Sequence, residues 1–397
     1  MALIPVAQAL DRILATAKLS SAETIKLENS FGRNLALDLK AKRDQPPFPA
    51  SAMDGYALRY ADITAPLKIV GVSAAGHAYK GTVKAGEAIR ILTGAPLPKG
   101  ADTIVIQENT KREGSALTVT DATSMGKNIR VQGLDFKRGD VLVPAGTKLN
   151  ARDIGLAAAG NAATLRVRRK PRLVLLTTGD ELVLPGQRPR ADQITSSNSH
   201  ALAAMAKAWG AEVINLGIIN DTLKATMSAI NKAEGADILI TTGGASVGDH
   251  DYVQEALKKS GIKIDFWKIA LRPGKPLMFG TKGKLRVIGL PGNPVSALVC
   301  ARIFLRPLLN AMQGQAVESQ VLVAQLATAL PANDTRQDYL RATLAHGADG
   351  SRKVTPFSKQ DSSMQRTLRN ADCLIIREPN APEAKAGALV SVLLLDF

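Results

Sequence analysis

The sequence predicts a multidomain α/β protein. Its centre is a parallel sheet flanked by helices, preceded by an elongated segment with a β module and followed by a small β barrel. Three observations carry this reading. From Arg172 onward strand-like and helix-like patterns alternate, the rhythm of a parallel sheet with helices on both faces. Over 31–149 the apolar residues fall instead in short runs broken by glycine and proline, the texture of a mostly β module. Beyond Gln313 short strands return and end in the apolar run 388–395, which a small barrel explains economically.

Taken in order, Val6, Leu10, Ile13, Leu14 and Ala17 share one face of a helix over 6–18. Strands are expected over 69–72, 88–92 and 103–106. Asn150 and Asp153 form a capping pair that starts a short helix, and Gly160 ends it. The α/β region then reads as strands over 173–176, 213–216, 238–241 and 285–288. Helices alternate with them over 199–209, 223–233, 251–259 and 295–309. The domain boundaries that follow are 1–170, with the β module at 46–145, then 171–312 and 313–397.

Composition narrows the function. A chain of 397 residues with 45% hydrophobic and 22% charged residues has enough apolar surface for several cores. No uninterrupted apolar stretch reaches the ~20 residues that span a bilayer. The start, Met-Ala-Leu-Ile-Pro, lacks the basic segment of a secretory signal, so a cytoplasmic protein without a membrane role is expected. Two cysteines, Cys300 and Cys373, and four scattered histidines give no zinc-ligand spacing. A hard ion such as magnesium, held by carboxylates and substrate phosphates, stays open. The net charge of +16 is concentrated only at 166–172, and aromatics are 4% with no basic–aromatic interleaving. It reads as solubility plus attraction for small anions, with no nucleic-acid partner expected.

The chemistry-bearing groups gather at predicted strand ends, where ligands of open α/β sheets bind. GLPGNPVS at 289–296 follows a strand and opens a helix, and RPGKP at 272–276 stands shortly before it. A helix start offers unpaired N–H groups and partial positive charge, and Arg272 and Lys275 add full charges. Together they suggest an oxyanion site; either alone reads better as a proline-stiffened loop before a core helix. A second strand end, TTGGASVGDHD at 241–251, places Gly243, Gly244 and Ser246 where backbone N–H groups can approach a phosphate. Asp180, Glu181, Asp249 and Asp251 are candidate ligands for a divalent ion, or else helix caps. Asp221 reads equally as an N-cap or a ligand. Ser196–Ser199 reads as a cap or as a polar pocket wall. No Gly-Lys-Ser/Thr follows the glycines, so this is no Walker loop. In the β module, PPFPASAMDGYA at 46–57 is too rich in proline for a central strand; it reads as a loop that holds Ser51 and Asp54 in fixed positions, or as a structural proline lid.

Taken together the chain resembles the MoeA family, the molybdopterin molybdenumtransferases, and the E domains of gephyrin and its plant counterpart. PPFPASAMDGYA, LTGAPLP at 92–98, TGDEL at 178–182, TTGGASVGDHDY at 241–252, RPGKP and GLPGNPVSA carry the resemblance in the family's order. It covers essentially the whole chain, loosely in the C-terminal third. The resemblance implies a central domain like the MogA proteins and a homodimer whose β module reaches the partner's α/β site. It implies insertion of molybdate into adenylylated molybdopterin with Mg2+ and release of AMP. An adenylyltransferase that delivers the substrate is then a candidate partner. By resemblance, Lys268, Arg272, Lys275, Ser296, Arg341, Ser362 and Ser363 line the molybdate and pterin pocket that Pro291 and Pro294 shape. Asp54, Thr93, Asp135, Glu181, Asp221 and Asp251 match positions tied to activity, with Asp180, Glu181, Asp221, Asp249 and Asp251 as metal candidates. Two alternatives are an adenylyltransferase of molybdopterin, against which the long N-terminal module speaks, and a gephyrin-like scaffold, for which no receptor-binding extension is present.

Overall fold

The computed structural model describes residues 3–121, 123–243, 252–316 and 321–397. The chain divides into two compact units, Thr24–Val167 and a discontinuous one made of Met1–Glu23 with Arg168–Phe397. Helix α1 (Val6–Ala15) belongs to the discontinuous unit, where Val6, Ala9 and Ile13 enter the main core. The helix ends three residues before the expected position. There Arg286 donates from Nε to the Thr16 carbonyl at 3.1 Å, and its charge complements the helix C-terminus. The backbone of Arg169 donates to the Ser21 carbonyl at 2.8 Å, so the chain leaves this unit and returns to it at neighbouring points.

The Thr24–Val167 unit is built on β1 (Gly55–Leu58), β2 (Leu67–Ser73), β3 (Glu87–Ile91), β4 (Thr103–Ile106), β5 (Thr110–Glu113) and β6 (Ala116–Val119). They pair in the order β4-β1-β3-β2-β6-β5. Successive residues point to opposite faces, and both faces are apolar. Tyr56, Leu58, Ala88 and Val105 form one cluster, and Ala57, Ile89, Ile91 and Ile104 the other. Gly55 starts β1 because nothing larger fits: a Cβ there would lie 2.0 Å from the Val105 carbonyl oxygen. Helix α2 (Ala151–Ala159) opens on the expected reciprocal cap. Asn150 Oδ1 accepts from the Arg152 N–H, and Asp153 Oδ2 accepts from the Asn150 N–H, both at 2.8 Å.

The α/β region runs β7 (Arg172–Thr178), α3 (Asn198–Ala208), β8 (Glu212–Ile219), α4 (Leu223–Asn231), β9 (Ile238–Thr242), α5 (Tyr252–Lys259), β10 (Lys263–Trp267), β11 (Met278–Lys282), β12 (Leu285–Leu290) and α6 (Pro294–Met312). The sheet order is β8-β7-β9-β12-β11-β10. Leu173 and Leu175 point to the face covered by α1, α3 and α6, whereas Val174 and Leu176 point to α4 and α5. Burial on both faces explains why β7 reads as a continuous apolar run. The expected parallel sheet needs one correction. β11 runs antiparallel to β10 and β12, turning through Gly283, and this hairpin lay hidden beside the stronger motif after β12. Helix α6 is apolar and long enough to cross a membrane by length and composition alone, but it lies 78% buried in this core.

The C-terminal strands β13 (Val321–Leu326), β14 (Gln337–His346), β15 (Arg352–Pro356), β16 (Cys373–Arg377) and β17 (Leu389–Leu394) close into a ring, β14-β15-β13-β17-β16-β14. This is the small barrel expected from the sequence. Ala342, Val354, Cys373, Ile375 and Val392 fill it, each 0% exposed. A two-residue strand, Leu271–Arg272, pairs with the start of β14 and joins the barrel to the α/β region.

Leu175 is 0% exposed at the middle of the sheet, so Leu175→Ala should destabilise this unit by about 2–5 kcal/mol. The chain's two tryptophans, Trp209 and Trp267, both lie in this unit, so their fluorescence during urea unfolding checks the value.

Candidate active site

Between β7 and β9 the chain direction switches: α3 leads out to β8 on one side, and α5 leads to β10, beyond β12 and β11, on the other. Crevices of this kind open at the carboxyl ends of the strands. A cavity of about 810 Å³ lies there. Its walls come from Thr177 and Thr178 of β7, Thr242 of β9 with Gly243 after it, residues 194–197 and the first residue of α3, Asn198, and the Pro291–Pro294 turn. Asn198 locks these walls together by donating from Nδ2 to the Gly292 carbonyl at 2.7 Å and to Thr242 Oγ1 at 3.2 Å. Thr242 Oγ1 in turn donates to the Pro291 carbonyl at 3.2 Å. The Ser196–Ser199 segment is therefore a polar wall, and it makes no side-chain cap for α3. Gly243 has φ +88, and a Cβ would sit 2.1 Å from the Thr178 carbonyl oxygen, so only glycine lets β7 and this loop come so close. The buried hydroxyls of Thr177 and Ser196 have no hydrogen-bond partner among the described residues.

Lys275 and Lys268 supply the positive charge of the cavity lining. The Ile269 N–H donates to the Lys275 carbonyl and the Lys268 N–H to the Leu277 carbonyl, both at 2.9 Å, so the loop is strapped rather than free. Lys268 stands at φ 73, a conformation that costs a lysine energy and that the strapped loop imposes. Its ammonium lies 4.4 Å from the centre of the Trp267 ring, a cation–π contact. Pro291, Pro294 and Ser296 line the cavity as well. The start of α6 is a poorer N–H donor than its position suggests. Pro294 carries no N–H, and the Val295 N–H is already taken by the Ser362 carbonyl at 3.0 Å.

Two arginines assigned to the pocket lie elsewhere. Arg272 is bound into the junction with the barrel, where it pairs with Asp338, with Asp334 at 3.0 Å and with Asn333 at 3.1 Å. Arg341, on β14, is 1% exposed and is not part of the lining. The sequence shows that both are cationic, but not that acids or carbonyls from the barrel already occupy them. Ser363 does line the cavity, whereas Ser362 meets its rim by accepting from Asn293 Nδ2 at 2.9 Å. Gln365, also from the barrel, donates to Ser197 Oγ at 2.6 Å and lines the cavity. No local pattern in the sequence marked Gln365.

The acids divide into three groups. Glu181 lines the cavity, and Asp180 beside it accepts from the Asp221 N–H at 3.1 Å. Asp221 does not cap α4; Thr222 does, its hydroxyl accepting from the Ala225 N–H. Asp249, Asp251, Gly244 and Ser246 lie outside the described residues. Asp54, Thr93 and Asp135 belong to the Thr24–Val167 unit. There Asp54 Oδ1 accepts from both the N–H and the hydroxyl of Thr93 at 2.7 Å, which holds its pKa below the usual value. Asp135 is exposed, and its N–H donates to the Gln45 carbonyl at 2.9 Å. The basic run 166–172 is drawn into structure rather than offered as a patch. Arg168 donates to the Ser20 carbonyl at 3.2 Å, and Arg169 pairs with Asp237 at 2.9 Å.

Partial burial raises the pKa of Asp221, and the neighbouring charges of Asp180 and Glu181 add to the shift. The folded protein thus holds this proton more tightly than the unfolded chain does. The resulting stabilisation is complete below the ordinary value of 3.8 and fades as pH rises through the raised value. Asp221→Asn should therefore gain thermal stability relative to the parent as pH rises from about 3 to about 7. Melting temperatures across that range provide the check; a difference independent of pH would show that Asp221 carries no such burden.

The chain matches three family profiles: the MoeA N-terminal region (domain I and II) over 4–160, a probable molybdopterin binding domain over 174–311, and the MoeA C-terminal region (domain IV) over 323–395. It is 38% identical to the molybdopterin molybdenumtransferase of Nostoc, over 83% of this chain and 78% of that one. With the Haemophilus influenzae molybdopterin molybdenumtransferase it shares 33% identity over 93% of each chain. The crystal structure of the molybdopterin biosynthesis MoeA protein from Pyrococcus horikoshii superposes with a TM-score of 0.87 at 27% identity, covering 99% of both chains. With the fold, the domain order and the strand-end cavity in agreement, the chain belongs to the MoeA family of molybdopterin molybdenumtransferases.

Proposed function

We propose that this chain completes the molybdenum cofactor by inserting molybdate into adenylylated molybdopterin, with release of AMP. The observation that carries the reading is the cavity at the switch point, with two lysines and unpartnered hydroxyls in its lining and no thiol or imidazole among its described residues. Molybdate is a tetrahedral dianion. In this reading Lys275 and Lys268 make charge-assisted hydrogen bonds to it, and Ser296 makes a neutral one. Its final ligands are soft sulfurs, and these come with the pterin, so the protein needs no cysteine to bind the metal it inserts.

Magnesium is part of the same reading. Among the described residues no three of His, Cys, Asp and Glu form a cage for a metal. Asp180, Glu181 and Asp221 nevertheless supply hard oxygen donors side by side, and partial burial, with the neighbouring charges of Asp180 and Glu181, raises the pKa of Asp221. That suits an ion held by one or two carboxylates and completed by substrate phosphates. Bound there, the ion would neutralise charge on the phosphate bridge to be broken. In this reading Glu181, at the cavity wall, holds a water against that bridge. Cleavage adds the water's oxygen to one phosphorus and leaves the bridging oxygen on the other, so that the two products are AMP and the pterin carrying its own phosphate. Glu181→Ala should strongly reduce AMP release with the fold intact, and chelation should do the same to the parent. AMP release at the parental rate in either case would refute this assignment.

Lys275→Ala should raise the molybdate concentration needed for insertion by at least about tenfold, the equivalent of ~1.4 kcal/mol. Ser296→Ala should cost less, because a charge-assisted hydrogen bond is roughly twice as strong as a neutral one. Binding of the adenylylated pterin should change little in either variant. A molybdate titration beside a pterin-binding measurement tests this, and a loss confined to pterin binding would take Lys275 out of the oxyanion site.

A cytoplasmic homodimer also belongs to the reading, with Asp54, Thr93 and Asp135 of one copy serving the site of the other. An adenylyltransferase would supply its substrate. Mixing Asp54→Ala with Glu181→Ala protein should then restore part of the activity through hybrid dimers. Fully active monomers in analytical ultracentrifugation would rule it out.

A further inference from the structure

Asp54 is exposed, yet its position is fixed from several sides. It stands just before β1, and Thr93 holds its carboxylate. Its carbonyl accepts from the Gln107 N–H at 3.2 Å. The next carbonyl, that of Gly55, accepts from Arg90 Nη1 at 3.1 Å. Arg90 Nη2 donates to Gln107 Oε1 at 2.6 Å. One guanidinium therefore grips both the chain just after Asp54 and the residue that holds the Asp54 carbonyl.

Sheet register puts Arg90 there. It sits on β3 directly opposite Tyr56 of β1, and β1 lies between β3 and β4. Side chains of directly opposed residues share a face. The Arg90 side chain accordingly crosses over Tyr56, with Cζ 5.1 Å from the ring centre, and meets Gln107 just past the end of β4. The ring adds a cation–π contact that favours this extended pose. Gln107 is fixed in turn, since its Nε2 donates to Glu108 Oε1 at 3.2 Å. Two hydrogen bonds from Thr93 lower the Asp54 pKa, and the charge of Arg90 adds to that shift.

We infer that Arg90 is a positioning residue for Asp54, aiming its carboxylate at the reacting groups through the Gly55 carbonyl and Gln107. The inference rests on the reading that Asp54 serves the reaction. Ordering an exposed side chain costs conformational entropy, and the frame of Arg90, Gln107 and Thr93 meets that cost before substrate arrives. A lysine at position 90 would keep the charge, but it cannot hold a carbonyl and an amide oxygen in one planar fork.

The test uses the full chain and its Arg90→Gln, Arg90→Lys and Gln107→Ala variants, each made alone and together with Asp54→Ala. AMP release from adenylylated molybdopterin is measured over a range of substrate concentrations. Arg90→Gln should lower kcat by about tenfold and leave KM within about twofold of the parent. Arg90→Lys should be impaired to a similar degree. Gln107→Ala keeps Arg90 and its bond to Gly55, so it should lose only about threefold. In the Asp54→Ala background each substitution should change the residual rate by less than about twofold, because the side chain it positions is already gone. A purely structural role, or direct contact with substrate, would instead add its full loss to that of Asp54→Ala and overturn the inference. Parental kcat in Arg90→Gln or in Gln107→Ala would overturn it too, as would near-parental kcat in Arg90→Lys, since charge alone would then suffice. Parental AMP release in Asp54→Ala itself would refute the reading beneath the inference, and the inference would go with it.

Discussion

The hydrogen bonds that tie the Pro291–Pro294 turn to the sheet are the constraint on which the site depends. The Asn198 amide spans from α3 to the Gly292 carbonyl and to Thr242, and Thr242 holds the Pro291 carbonyl. Three elements distant in sequence therefore share one small network. Partly shielded from water, each bond is worth more than its exposed equivalent, and leaving a partner unsatisfied costs about 1–3 kcal/mol. The prolines remove backbone freedom that the network would otherwise have to overcome. With the turn fixed, Ser296 and the start of α6 have one place to be.

Charge is arranged around that fixed frame in two groups. Lysines 268 and 275 face the cavity from a strapped loop, while Asp180, Glu181 and Asp221 gather at the ends of β7 and β8. The remaining arginines near the site are spent on architecture. Arg272 joins the α/β region to Asp338 and Asp334, and Arg286 closes the end of α1. Asp338 shows the cost of such a junction: burial raises its pKa even though Arg272 opposes the shift.

Much of this was legible in the sequence, for identifiable reasons. Burial on both faces made β7 and β9 plain as short continuous apolar runs, and the Asn150–Asp153 box marked α2 to the residue. Lys275, Pro291, Pro294 and Ser296 were legible because rigid turns fix side chains locally. What stayed hidden depended on partners far along the chain. Nothing near Arg272 or Arg341 announces Asp338 or Gln360. The reversal of β11 was hidden too, because a two-sided apolar strand reads the same in either direction.

The proximity of Ser21 and Arg169 has a consequence for chain entropy. The discontinuous unit must close a loop of roughly 150 residues before α1 can join its core, and the closing entropy grows only logarithmically with length. Each doubling costs about 0.6 kcal/mol, so the whole intervening unit burdens the α/β core by only about 3 kcal/mol more than a five-residue linker would. A core of this size tolerates that. The Thr24–Val167 unit is, in polymer terms, a long insertion between two adjacent points, and it can vary in length or be exchanged with little effect on the framework that holds the cavity.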